Sequence, residues 1–252
     1  MTASLGQSEQ SLSVTKAITI LSAVADAQVP PTVSEIIAKV GFSKTVVLRM
    51  IATLTAHRLL ERDVQSNRYM LGTGLITLAH TAISKHPLSL RAAPILSEIV
   101  RSTGDIGLLM VEDRGMSLCI ERKVGASPIA TVGTNIGTRS PLHCGGGPFA
   151  LLAFSSDEFI SEYLSQPLEA RTAATVTDPE KIWDRIREAR ENGYTIGNED
   201  LFQYVVAVGV PIRDAGGKLL GSLSIGSINH RYPAERCREI GIELRDLCRD
   251  LV

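Results

Sequence analysis

No run of apolar residues in this chain approaches the roughly 20 needed to cross a bilayer. Met1 to Gln10 carry neither the basic flank nor the apolar stretch of a signal peptide, so a cytoplasmic location and no membrane partner are expected. Cysteine is scarce. Cys119, Cys144, Cys237 and Cys248 form no Cys-x-x-Cys pair and have no histidine at metal-ligand spacing, which argues for free thiols and against a disulfide framework, a metal site or a cofactor. An excess of cations is also missing, since 26 Lys+Arg face 27 Asp+Glu for a net charge of -1. Total charge therefore gives no argument for nucleic acid, and only its distribution can. No internal repeat or low-complexity tract interrupts the chain.

What is present is an ordinary globular composition, 44% hydrophobic and 21% charged over 252 residues, long enough for two cores. Met1 to Gly72 carry 7 basic and 5 acidic residues, whereas the remaining 180 carry a net charge of -3. The N-terminal cations cluster from Lys44 to Arg68, which matters because of the pattern they sit in.

Three helices and a hairpin are expected in that first stretch. Val14 to Ala25 places Ala17, Ile18, Leu21 and Val24 at helical spacing. Pro30-Pro31 then breaks the chain, and Thr32 or Ser34 caps a second helix with Glu35 in its first turn, ending at Gly41. A third helix follows at once, capped by Ser43 and burying Val46, Val47, Met50, Ile51 and Leu54. Two short helices around a tight glycine turn, the second longer and basic, form the helix-turn-helix pattern. Its second helix would lie in the major groove, making Ser43, Lys44, Thr45, Leu48 and Arg49 contact candidates, with Ser34 beside them on the preceding helix. Leu59 to Asp63 and Arg68 to Leu71 read as a two-stranded wing whose Arg62 and Arg68 would track phosphates.

A connecting helix, Leu75 to Ser84, precedes Pro87 and a further helical run from Leu90 to Arg101. Leu75, Leu78 and Ile83 are candidates for an oligomer seam or for packing on their own domain. Strand pairs then alternate with helices. The expected strands are Asp105 to Glu112, Ser117 to Lys123, Tyr194 to Gly197, Val205 to Ile212 and Lys218 to Ile225. A helix capped by Asp178, with Pro179 at its first position and Asn192-Gly193 at its end, lies between them, and a last helix runs from about Pro233 to Leu251. This order argues for an antiparallel sheet flanked by helices.

The most unusual segment is SPLHCGGGPFALLAF, Ser140 to Phe154. Gly145, Gly146 and Gly147 before a helix-like run would offer backbone N–H groups to a small anion such as a carboxylate; the alternative is a loop that needs glycine for sharp turns. His143 beside Cys144 raises a nucleophile reading, but no third group is identifiable to orient the histidine. Ser222, Ser224 and Ser227 either line a pocket or form a solvated sheet face. Asn198, Glu199 and Asp200 fall at a strand end, where turns also favour such residues.

From about Leu12 to its end the chain resembles the IclR family of bacterial transcription regulators. The resemblance is carried by VSEIIAKVGFSKTVVLRMIATLTAHRLLER, the wing ending NRYMLGTGL, the SPLHC segment and ENGYTIGNEDLFQYVVAVGVPIRDAGGKLLGSLSIGS. It implies an α+β protein with a winged helix-turn-helix DNA-binding domain over residues 10–73, a linker helix over 74–87 and a GAF-like α/β effector domain over 88–252. It further implies a homodimer or a dimer of dimers, a double-stranded DNA operator, a small organic effector, often an acid or an aromatic, and no catalysis. By motif, the effector site would comprise Leu142, Gly145, Gly146, Gly147, Ala207 and Ser224, with Gly197 and Gly226 at positions often polar in relatives. One departure stands out. Pro148-Phe149 replaces the usual Gly-Lys, removing a backbone donor and a cation and adding an aromatic surface, which implies either a more apolar effector than in relatives or a degenerate site. A metabolite-binding protein that uses its winged helix for protein contacts, and a thiol-dependent enzyme, are the alternatives.

Overall fold

The structure, a computed structural model, describes residues 11–127, 133–249 and 251; the opening segment Met1 to Gln10 lies outside them. The chain divides into two compact units that part at Ala82 and Ile83.

In the first unit, helices α1 (Leu12–Ala25), α2 (Val33–Val40) and α3 (Lys44–Ala56) precede strands β1 (Leu60–Arg62) and β2 (Tyr69–Leu71). Of the two cap candidates for α2, Thr32 takes the role. Its hydroxyl accepts the Glu35 N–H while the Glu35 carboxylate accepts the Thr32 N–H at 2.7 Å, a reciprocal capping box. Ser34 is the second residue of the helix, exposed. Gly41 ends the helix at φ +72°, a left-handed conformation that costs glycine least, with its N–H on the Ile37 carbonyl. Ser43 precedes α3 by position, but its side chain makes no cap hydrogen bond. Ile20, Val24, Ile36, Val47, Met50, Ile51, Leu54, Leu60 and Tyr69 form the core, while Val46 is only half-buried. The antiparallel β1–β2 pair, Leu60 opposite Leu71 and Arg62 opposite Tyr69, is the expected wing, shorter by a residue or two.

Helix α4 (Thr73–Ser84) spans the division between the units and buries none of its residues. Leu78 is 60% exposed, whereas Leu75 and Ile83 are half-buried.

The second unit is built on a six-stranded antiparallel sheet. In chain order its strands are β3 (Ile106–Asp113), β4 (Met116–Val124), β5 (Arg139–Pro141), β6 (Thr195–Asn198), β7 (Val205–Arg213) and β8 (Leu219–Ile228), and across the sheet they run β5-β4-β3-β8-β7-β6. Arg114 and Gly115, at φ +57° and +77°, make the two-residue turn of the β3–β4 hairpin. Helices α5 (Pro87–Thr103) and α9 (Ala234–Cys248) cover one face with Leu96, Ile99, Ile240 and Leu244 against Val206, Val208, Val210, Leu223 and Ile225. The other face carries α6 (Gly146–Ala153), α7 (Asp157–Leu164) and α8 (Pro179–Asn192). Strand β5 and helix α7 have no counterpart in the sequence reading. Helix α8 matches it to the residue, because Asp178, Pro179 and Gly193 each act locally.

Two expectations about β8 are corrected. Its serines do not form a solvated face, since Ser222, Ser224 and Ser227 are all buried. Nor do they share one side: Ser222 donates to the Gly147 carbonyl on the α6 side, whereas Ser227, an odd number of residues away, donates to Asp105 on the other.

The capping box generates the first prediction. Thr32→Ala leaves the Glu35 N–H without its acceptor and should cost about 1 kcal/mol of first-unit stability, measured by chemical denaturation followed by helix circular dichroism; no change would mean that solvent satisfies the helix end equally well.

Candidate functional site

Two surfaces collect the residues singled out from the sequence. On the first unit, Ser43, Lys44, Thr45, Leu48 and Arg49 are all exposed, while Val47, Met50, Ile51 and Leu54 between them are buried. The 3.6-residue period thus docks α3 by its apolar side and leaves its polar N-terminal side outward. Among the described residues, neither Lys44 nor Arg49 pairs with a carboxylate. The wing arginines differ from them. Arg62 donates to the Asn67 side-chain oxygen, and Arg68 donates to the Pro30 carbonyl at 2.7 Å and to Glu35 at 3.3 Å. The Glu35 carboxyl is held below the usual range, first by the Thr32 N–H, then by the Thr32 hydroxyl, with Arg68 contributing less. Arg68 therefore ties the wing base to the α2 cap, and its guanidinium is engaged inside the domain.

On the second unit, the start of α6 is laid directly on the sheet. A Cβ at Gly146 would stand 2.6 Å from the Ala207 carbonyl oxygen, one at Gly197 2.4 Å from the Gly145 backbone, and one at Gly209 2.4 Å from the Gly146 oxygen. Only glycine permits this approach of backbone to backbone. Two buried hydroxyls below fasten the helix to the sheet through its carbonyls: Thr195 donates to the Gly146 oxygen and Ser222 to the Gly147 oxygen, both at 2.8 Å. The Gly145 N–H donates to Asp200 Oδ1 at 2.8 Å, and Arg185 of α8 donates to Asp200 Oδ2 at 2.9 Å while lying over the Phe149 ring.

Beside this contact lies a small, partly open cavity. It brings together Gly145, Gly146, Gly147, Gly197, Ala207, Ser224 and Gly226, seven residues drawn from three separated stretches of sequence. Leu142 does not join them: it is fully buried in the apolar cluster with Phe149 and Leu152 and lines no part of the cavity. The sequence reading missed the apolar wall, Leu108 and Met110 from β3 and Leu201 and Phe202 from the loop before β7. The alternation of β3 would have indicated the first two. Nothing local signals the loop.

The His143–Cys144 pair has a different explanation from catalysis. The Leu142 N–H donates to the Tyr163 oxygen at 2.9 Å, the Tyr163 hydroxyl lies 2.8 Å from His143 Nδ1, and His143 Nε2 lies 3.0 Å from the Glu169 carbonyl. A carbonyl only accepts, which assigns the proton to Nε2 and makes Nδ1 the acceptor of the tyrosine hydroxyl. Burial lowers the histidine pKa, so the ring is neutral at pH 7 and acts as a strut. Burial pushes the Cys144 thiol up to about 12, far from the thiolate a nucleophile needs. Its nearest acceptor is the Pro141 carbonyl at 3.9 Å, not the histidine.

A helix-turn-helix unit with an outward cationic helix, followed by a sheet domain with a cavity at the start of α6, has the architecture of a DNA-binding regulator with an effector domain. The comparisons agree. Residues 80–252 match the family model for the bacterial transcriptional regulator IclR C-terminal domain, and residues 13–64 that for the IclR helix-turn-helix domain. The chain belongs to the IclR family of transcriptional regulators, and these are not enzymes. It is 29% identical over 216 residues to the HTH-type transcriptional regulator KipR of Bacillus subtilis, covering 85% of this chain and 86% of that protein. Its fold is similar to the crystal structure of an IclR transcriptional regulator from Alicyclobacillus acidocaldarius, with TM-score 0.85, 24% identity and coverage of 96% and 98% of the two chains. It is also similar to an IclR homolog from Microbacterium hydrocarbonoxydans complexed with 4-hydroxybenzoate, with TM-score 0.76, 21% identity and coverage of 94% and 99%. Among the described residues no helix is long and apolar enough to cross a membrane.

Two measurements check this geometry. Gly197→Ala should destabilise the second unit by about 1–3 kcal/mol, because backbone on both sides must shift, with a lowered Tm as the readout and an unchanged Tm as the contrary result. In native protein at pH 7.5, iodoacetamide should leave the four buried cysteines unmodified by mass spectrometry, since burial raises all four thiols; rapid labelling of Cys144 would reopen a thiol mechanism.

Proposed function

We propose that this protein binds a double-stranded operator through Ser43, Lys44, Thr45, Leu48 and Arg49 of α3, and that a small organic effector held beside the glycine-rich start of α6 modulates that affinity. The observation that carries the reading is the split of α3 into a buried apolar side and an unpaired cationic one. A bidentate Arg49 suits a guanine edge, and Lys44, Ser43 and Thr45 at the helix start suit phosphates. Arg62 and Ser34 supply further backbone contacts at the periphery. A homodimer or dimer of dimers reading a pseudo-palindromic site fits the exposed apolar residues on α1, Leu12 and Ile18, and on α4, Ile76 and Leu78. An effector acts only by binding one of two arrangements better than the other, and the 4-hydroxybenzoate held by the Microbacterium relative supports a ligand with an aromatic ring here.

Fluorescence polarisation against the DNA upstream of the protein's own coding sequence tests this. Binding should weaken steeply with salt. Arg49→Ala should cost about 1–3 kcal/mol and relax the preference at one base pair, whereas Lys44→Ala should weaken all sequences alike and reduce the salt slope by about 1. Weak binding without sequence preference, indifferent to both substitutions, would point to protein contacts by the winged helix instead.

A further inference from the structure

Resting on the reading of the second-unit cavity as the effector site, we infer that its ligand is an uncharged, largely apolar ring-sized molecule and that Asp200 is the residue that excludes anions from it. Among the described residues, no lysine, arginine or histidine lines the cavity. Its walls are side chains of Leu108, Met110, Leu201, Phe202 and Val205, and its hydroxyls come from Ser224 and Thr134. The first turn of α6 offers the N–H groups of Gly146 and Gly147, but the third position is Pro148, which has none.

The anion position at this helix start is already filled by the protein. Asp200 lines the cavity with its side chain 4% exposed, and its Oδ1 accepts the Gly145 N–H. The cation that balances it, Arg185, is absent from the lining; it reaches Oδ2 from α8, stacks on Phe149 at 4.4 Å and also donates to the Ile196 carbonyl. The negative end of the pair therefore faces the cavity and the positive end faces away. A ligand carboxylate entering here would give up its water for two N–H groups and meet a like charge at low dielectric. An apolar ring loses no comparable hydration, meets hydrocarbon on most sides, and has room for one neutral hydrogen-bonding group on Ser224.

The test uses full-length protein at pH 7 and a matched pair of probes, methyl 4-hydroxybenzoate and 4-hydroxybenzoate, with p-cresol and benzoate as a second pair. At equal millimolar concentrations the two neutral compounds should raise Tm by about 2 °C or more and the two acids by clearly less. Acids that stabilise as much as their neutral partners, or neutral compounds that do not stabilise at all, would overturn the inference. Ala207→Met fills the cavity and should abolish the shift from the neutral probes; a shift that survives places binding elsewhere and also overturns it. Asp200→Asn keeps an acceptor for Gly145 and leaves Arg185 uncompensated, so the affinity of each acid relative to its neutral partner should rise about tenfold, a ratio that a general loosening of the loop would not move. If that variant does not fold, the wild-type pairs and Ala207→Met decide. Operator binding by the same preparation separates the two readings: intact salt-sensitive binding with an acid-preferring cavity refutes only this inference.

Discussion

The contact on which the second unit depends is backbone against backbone, where the start of α6 rests on β6 and β7 with no side chain between them. Glycine at 146, 197 and 209 makes the approach sterically possible, and the carbonyls of Gly146 and Gly147 give the buried hydroxyls of Thr195 and Ser222 their acceptors. Leaving those hydroxyls unpaired would cost on the order of 1–3 kcal/mol each. The same contact creates the cavity. A helix seated so low brings its first turn level with Ser224 and Ala207 and leaves a space that the β3 side chains, Thr134, Val205 and the Leu201–Phe202 loop help to close.

Asp200 joins the packing to the chemistry. Through one carboxylate oxygen it holds the Gly145 N–H, and through the other it engages Arg185, so it fixes both the glycine turn and the loop that carries Leu201. Thr172 and Thr175 brace that loop from outside by donating to the carbonyls of Glu199 and Asp200. Glu199 and Tyr204, at φ +56° and +62°, bound the loop in conformations that non-glycine residues adopt only when their surroundings hold them there. Glu199 does so by accepting the Tyr204 N–H and the Asn229 side chain.

The first unit works on a simpler rule, the projection of one helical period onto a small core. Its core is modest, and its precision comes from local devices: a capping box on α2, a left-handed glycine before α3, and Arg68 bonded to the α2 cap so that the wing is tied to the helix-turn-helix. Arg68, expected at a phosphate, is also a surface brace, its part-exposed guanidinium bonded to Pro30 and Glu35. Arg49, with the same side chain, has no such partner because α3 turns it away from the core.

Where residues act on near neighbours, the sequence alone determined the outcome. The bounds of α8, the Arg114-Gly115 turn, the buried stripe of α3 and the wing pair all follow from caps, turn residues and periodicity within a few positions. The family resemblance drew Gly146, Gly147, Gly197, Ala207, Ser224 and Gly226 of the cavity lining from the α6 start and three strands, whereas Leu142, drawn with them, packs into the apolar cluster. Only the tertiary structure decided that the serines of β8 divide between two faces, that His143 is a neutral strut between Tyr163 and Glu169, and that Asp200 rather than a ligand occupies the α6 start. Each of these rests on partners many positions away in the chain. Side-chain chemistry says what a residue can bond, but the packing of sheet and helices chooses which partner comes within reach.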